Sequence, residues 1–266
     1  MTRIVSWNIR RARANSAAWP YLTALDPDLV MLQEVIELPE DIRTKYRCMT
    51  KPAAKKNGTA QPFSTAILVK GEMKTEPPLI SKYEWVNNKY QGFSGNILNC
   101  MIDIPTLGPC SVISFYSPAW PVITGGTTNI DISEIKLKQN ADISLTEILW
   151  ALLREVPELT DRRWIIGGDF NSSETFDLWR REGRGNRELM DRMIGLGLKE
   201  CLRSYSGKLV PTFRHSKGGI THQIDHLYVS GSIYNRLLNC QVGDSAEVFG
   251  NRLSDHLPII ADFGFS

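Results

Sequence analysis

The stretch Trp164-Ile165-Ile166-Gly167-Gly168-Asp169-Phe170-Asn171 constrains this chain more than any other. A short apolar run bounded by turn residues reads as a buried strand, and a buried strand commits the fold to a core built on sheets. Asp169 and Asn171 then fall at or just beyond the carboxyl end of that strand. Side chains two apart in extended chain share a face, so both polar groups can address one site while Phe170 packs inward. Ser172 or Ser173 is placed to cap a helix suggested by the pattern over residues 174–181. Alone, this is a strand ending in a polar turn; the rest of the chain decides what the turn is for.

The same arrangement recurs along the sequence. Arg3-Ile4-Val5-Ser6-Trp7-Asn8 reads as a first strand ending in a carboxamide, and Leu29-Val30-Met31-Leu32-Gln33-Glu34-Val35 as a buried strand with one carboxylate at its end. Further strands are expected over residues 65–70, 96–104, 111–116, 224–229 and 237–242. A last one follows Ser254-Asp255-His256-Leu257-Pro258. Helices are expected from near Asn15 or Ser16 to before Asp26, from Asp131 to about Val156, and in one or two arginine-rich segments up to Met193. Lys51–Gly58 reads as an exposed basic loop, and residues 117–128, with Trp120, as a second loop. Strands and helices mix without a repeat or a linker, so the class is α/β or α+β.

Composition excludes several alternatives. The five cysteines are odd in number and never form C-x-x-C, which fits reduced thiols rather than a disulfide frame or a zinc site. No apolar run approaches the length of a membrane span. No cationic segment followed by an apolar run opens the chain, so a cytoplasmic protein is expected. The formal net charge of +2 makes no argument for nucleic acid unless the cations cluster.

The polar residues stranded at strand ends are Asn8, Glu34, Asp169, Asn171, Asp225, Asp255 and His256. Each alone is an ordinary strand terminus; together they suggest ends converging on one rim. Several carboxylates without a cysteine or histidine cluster make a hard-oxygen site, suited to Mg²⁺ or Mn²⁺ and unsuited to zinc. One histidine with an aspartate to orient it supplies acid–base chemistry, and the carboxamides add neutral donors for an oxyanion. Such a set describes hydrolysis of a phosphate ester.

Trp7-Asn8, Gln33-Glu34, Gly168-Asp169-Phe170-Asn171, Ile224-Asp225-His226 and Ser254-Asp255-His256-Leu257-Pro258 occur in the order that marks the endonuclease/exonuclease/phosphatase family. The resemblance runs from residue 3 to residue 263, which implies a single catalytic domain over 1–266. It implies a four-layer αββα sandwich of two facing mixed sheets covered by helices, with the site at one end. Carried over by position, it implies Glu34 as a metal ligand with Asn8 beside it and Asp255 nearby or at a second metal. It puts Asp169 and Asn171 against the scissile phosphate and has Asp225 hold His256. Tyr116, in Phe115-Tyr116-Ser117-Pro118, resembles a phosphate-contacting tyrosine of the AP endonuclease branch. Whether Asp169 or His256 is the base stays open at this point.

The expected activity is Mg²⁺-dependent phosphodiester hydrolysis, by a nuclease acting on DNA as a monomer. Arg10, Arg11 and Arg13 follow the Asn8 motif, and Arg180 and Arg181 follow the Asp169 strand, where cations would neutralise backbone phosphates. Trp120 could stack on a base. In the AP endonuclease branch an apolar aromatic pocket accepts the abasic sugar; Thr212-Phe213 keeps one piece of it, while His222 stands where a tryptophan is expected. The rival readings are a phosphatase or phosphodiesterase acting on an inositol phosphate, lipid or nucleotide, and a non-catalytic binding module. The second would normally have lost the metal glutamate or the Asp–His pair, and both are present.

Overall fold

The protein is described by a computed structural model covering residues 1–266 except 128, 158, 180–184, 217 and 266. The described strands are β1 (Thr2–Ala12), β2 (Leu29–Val35), β3 (Arg47–Ala54), β4 (Ala60–Val69), β5 (Glu72–Thr75), β6 (Ile97–Ile104), β7 (Gly108–Tyr116), β8 (Trp164–Asp169), β9 (Leu198–Glu200), β10 (Phe213–Arg214), β11 (Ile220–His222), β12 (Asp225–Ser230), β13 (Leu237–Val242) and β14 (Ile259–Phe263). They form one sheet in the order β13-β14-β1-β2-β4-β3, another in the order β5-β6-β7-β8-β12-β9, and the small ribbon β10-β11. Both large sheets are mixed: β1 runs parallel to β2 and β7 parallel to β8, among antiparallel neighbours.

Period-two alternation explains the layers. Ile4, Met31 and Ile67 point from one sheet to Val112, Ile165 and Leu227 of the other, and these residues form the core between the sheets. Their neighbours Val5, Val30 and Leu68 point the opposite way, onto the helices Ala18–Leu25, Glu40–Lys45 and Ser245–Gly250. On the far face of the second sheet, Ile113, Ile166 and Tyr228 pack beneath the helices Glu84–Gly92, Leu145–Leu153 and Asn186–Gly195. The result is the expected αββα sandwich. Strands buried on both faces are continuous apolar runs in sequence for this reason, and each fully buried Leu or Ile contributes about 1.5–3 kcal/mol.

Gly167 is what lets the sheets meet beside the site. A Cβ there would lie 2.6 Å from Cε of Met31 and 3.0 Å from Oγ of Ser6, both on the facing sheet. The next glycine, Gly168, faces the backbone of Phe115, which a Cβ would overlap. The two glycines therefore serve close packing in two directions.

Register then fixes the rim. Tyr116 pairs with Asp169, and Asp169 with Asp225, so these three end β7, β8 and begin β12 in one row. In the facing sheet Asn8 pairs with Gln33, the residue before Glu34.

Two expectations need correction. The long helix over 131–156 is only Leu145–Leu153. Ahead of it, Asn140 Oδ1 accepts the Asp142 N–H, Asp142 Oδ1 accepts the Gly125 N–H, and Ile143 bridges to Ile123. Such local side-chain acceptors compete with helix formation, although Ile135 and Ile143 still reach the core. Part of the basic loop over 51–58 is strand: Lys51–Ala54 complete β3, with Ala53 and Ala54 buried. Pro52 is tolerated because β3 is a sheet edge.

Candidate active site

Asp169 ends β8 and is 2% exposed. Its carboxylate accepts Nδ2 of Asn8 at 3.0 Å, the Asn171 N–H at 2.9 Å and Nδ2 of Asn171 at 3.3 Å. Asn171 also donates to the Ser117 carbonyl at 2.7 Å, which ties the loop after β7 to the site. Across the cleft, Nδ1 of His256 lies 2.9 and 3.1 Å from the two oxygens of Asp225, and its Nε2 lies 3.9 Å from Asp169. The sequence separation is large, and the sheets bring the pieces together.

Burial raises the Asp169 carboxyl well above the usual range, and Asp225 adds to that, while His256 and the hydrogen bonds from Asn171 and Asn8 oppose it. Burial alone would lower the affinity of His256 for a proton. The carboxylates of Asp225, Asp169 and Asp255 outweigh it and raise the imidazole far above its ordinary value. Of the two groups, His256 therefore holds a proton more tightly than Asp169. Asp169, Asp225 and His256 lie close enough to surround a cation. A protonated imidazole hydrogen-bonded through Nδ1 is nonetheless a poor ligand, and the trio is better described as a proton-linked unit.

The same cleft, about 400 Å³, is lined by Arg10, Arg11, Glu34, Asp169, Asn171, Phe213, Asp255 and His256. Glu34 and Asp255 keep partly exposed oxygens, and each faces one arginine: Arg11 at 3.7 Å and Arg10 at 3.5 Å. Burial, with the nearby carboxylates of Glu34 and Asp169, holds the Tyr116 phenol un-ionised. Of the six non-glycine residues with left-handed backbone among those described, Arg10, Arg11, Glu34 and Asn171 sit here. Uncommon backbone clustered at a cleft is a mark of a functional site.

The other candidates fall in different places. Asn8 is buried, and its Oδ1 accepts the Arg10 N–H at 3.0 Å, so its amide is oriented to donate to Asp169. Arg13 is exposed at the end of the strand, and its carbonyl accepts Nε1 of Trp19. Trp120 packs 5.9 Å from Phe93 against the helix-side core. Phe213 lies 4.9 Å from the His256 ring, and His222 lines an adjoining cavity. Arg180 and Arg181 lie outside the described residues.

Three residues that the sequence reading named only as members of motifs support the site. Ser254 donates to the Asn8 carbonyl at 2.7 Å and accepts the His256 N–H at 3.1 Å. Trp7 Nε1 donates to the His256 carbonyl at 2.8 Å. Thr212 Oγ1 accepts the Ile224 and Asp225 N–H groups. All three are buried. Their place in the motifs was legible in sequence, and these partners were not.

Comparisons agree with this geometry. The sequence profile described as the endonuclease/exonuclease/phosphatase family matches residues 5–256. No curated protein matches by sequence. Among solved structures, an AP endonuclease from Archaeoglobus fulgidus superposes with a TM-score of 0.68 at 18% identity, covering 99% of each chain. The 3′ phosphatase NExo from Neisseria, solved with a product DNA hairpin, gives 0.64 at 18% identity over 100% of each chain. The catalytic domain of a Xenopus laevis enzyme named APE2 gives 0.67 at 17% identity, covering 99% of this chain and 92% of that one. Fold, order of motifs and convergence of their side chains agree: this chain belongs to the endonuclease/exonuclease/phosphatase family.

Proposed function

We propose that the protein is a divalent-metal-dependent phosphodiester hydrolase that cuts DNA. The observation that carries this reading is the single cleft holding Asp169, Asn171 and His256 opposite Glu34 and Asp255. The donor set fits a hard cation: two partly exposed carboxylates with no thiolate, facing only loosely paired arginines. Glu34 and Asp255 would hold Mg²⁺, with Mn²⁺ a chemical equivalent, and the ion would offset charge growing on the phosphoryl oxygens.

The chain's own residues do the rest. Asp169, kept ionised by the proton on His256 and fixed by Asn8 and Asn171, accepts the proton of the attacking water. His256, held by Asp225, presents Nε2–H to a phosphoryl oxygen. Asn171, whose amide hydrogens go to Ser117 and Asp169, fixes the carboxylate, while Tyr116 beside Glu34 offers a neutral hydroxyl to the phosphoryl group. Arg10 and Arg11 offer charge to neighbouring backbone phosphates. That placement of cations supports a polymeric phosphodiester over a small ester. Among the described residues no helix is long and apolar enough to cross a membrane.

The test is a substrate panel with Mg²⁺ and an EDTA control. Supercoiled plasmid, linear duplex, single-stranded DNA, RNA and an abasic-site duplex are compared with a small phosphate ester. EDTA-sensitive cleavage of DNA is expected. Hydrolysis of the small ester with every nucleic acid left intact would overturn the nuclease reading.

A further inference from the structure

A second cavity of about 390 Å³ adjoins the catalytic cleft, and Asn171 and Phe213 form part of the wall of both. Anything whose phosphate lies between Asp169 and His256 therefore extends into it directly. The volume falls in the range, roughly 300–1,000 Å³, of pockets that enclose whole ligand groups.

The lining is not that of a simple apolar slot. One side is aromatic: Phe176 lies 4.5 Å from the His222 ring, and Thr175 Oγ1 holds His222 through Nδ1 at 2.7 Å. The same lining carries Asn140, Ser144 and Glu147. Glu147 is 1% exposed, and its carboxyl accepts the Thr146 hydroxyl at 2.8 Å. Burial raises its proton affinity, which favours a neutral carboxyl that can both donate and accept. A flat face together with a donor–acceptor edge is the combination by which proteins read an extruded base. A bare deoxyribose has neither a flat face to stack nor an amide-like edge to pair.

We propose that this cavity receives an unpaired nucleobase next to the scissile phosphate, stacked on Phe176 and read at its edge by Glu147 and Asn140. The proposal rests on the nuclease reading above and narrows it: the enzyme favours a phosphodiester beside a base that is free to leave the stack. A neutral carboxyl pairs in two-point fashion with an amino group beside a ring nitrogen, as in adenine or cytosine.

The test compares four fluorescent DNAs by anisotropy in EDTA, then by cleavage in Mg²⁺. They are a duplex with one unpaired adenine, the same duplex with an abasic analogue at that position, a fully paired duplex, and single-stranded DNA. The wild type is expected to bind the unpaired adenine about tenfold or more tightly than the abasic analogue, the scale of one base–aromatic stack. Single-stranded DNA, whose bases are already unpaired, is expected to bind more tightly than the abasic duplex, which supports the assignment as well. Phe176→Ala is expected to remove most of the preference. Glu147→Gln, which like a neutral carboxyl carries one donor and one acceptor, is expected to keep the ranking of unpaired adenine, cytosine, guanine and thymine at that position, whereas Glu147→Leu is expected to flatten it. Equal or tighter binding of the abasic analogue by the wild type would overturn the assignment. If paired and unpaired duplexes are then cut alike, the nuclease reading still stands. Failure to cut any of the four DNAs would refute that reading itself.

Discussion

Asp225→Asn removes a charge while keeping the shape of the side chain. Asp225 is 1% exposed, both of its oxygens lie within 3.1 Å of Nδ1 of His256, and Thr212 satisfies its backbone N–H. A hydrogen bond between charged partners contributes about 1.5–3 kcal/mol, which is roughly 10- to 150-fold in rate if it acts fully in the transition state. A carboxamide that turns its N–H toward Nδ1 leaves His256 neutral with its proton on Nε2, so the donor is kept and its charge is lost. We therefore expect kcat to fall by about 10- to 150-fold with KM little changed, because Asp225 acts through His256 rather than on the substrate. The fold should survive, since β12 keeps its pairing with β8. Steady-state cleavage of a labelled duplex in Mg²⁺, with a thermal melt of the same preparations, makes the comparison. A folded variant within threefold of the wild-type kcat would refute the role given to the Asp225–His256 pair.

Other expectations follow from the same geometry. Glu34→Gln should shift the Mg²⁺ activation curve to higher concentration by about tenfold or more, because one carboxylate ligand is lost; an unshifted curve would take Glu34 out of the metal site. Ser254→Ala leaves the buried His256 N–H without its acceptor, at about 1–3 kcal/mol, so the melting temperature should drop by several degrees; an unchanged melt would mean that Ser254 does not clamp the two loops. Asp26 bonds Lys45 and Lys70, which depress its carboxyl to about 2. A depressed folded-state value stabilises above the ordinary carboxylate pKa, and the stabilisation is lost as pH falls toward 2. Asp26→Asn should therefore lower stability at pH 7, by no more than about 1 kcal/mol at this exposed site. Denaturant titrations at pH 7 and pH 2.5 should show the difference shrinking in acid, and a constant difference would argue against the ion pairs.

The site was legible in sequence where strand burial and polar termini coincide. Trp164–Asp169 is apolar without interruption because both sheet faces are covered, so Asp169 stands out at its end. Asn8, Glu34 and Asp225 stand out for the same reason. Residues 131–144 were not legible, since Ile135 and Ile143 reach the core from turns that mimic a helical spacing. Nor was the supporting task of Ser254, Trp7 and Thr212, which is set by partners on other strands; Ser254 and Asn8 are 246 positions apart. Glu147 was hidden inside an apolar helix pattern, where only the folded cavity gives its carboxyl a purpose.

Plasmid cleavage by the wild type and Asp169→Asn, side by side in Mg²⁺ and in EDTA, tests the central claim most directly. Asp169 is the one side chain bonded by both Asn8 and Asn171 and facing His256. The account predicts nicking by the wild type in Mg²⁺ alone, and a loss of several powers of ten in the folded variant. Undiminished cleavage by Asp169→Asn, or cleavage that persists in EDTA, would contradict it.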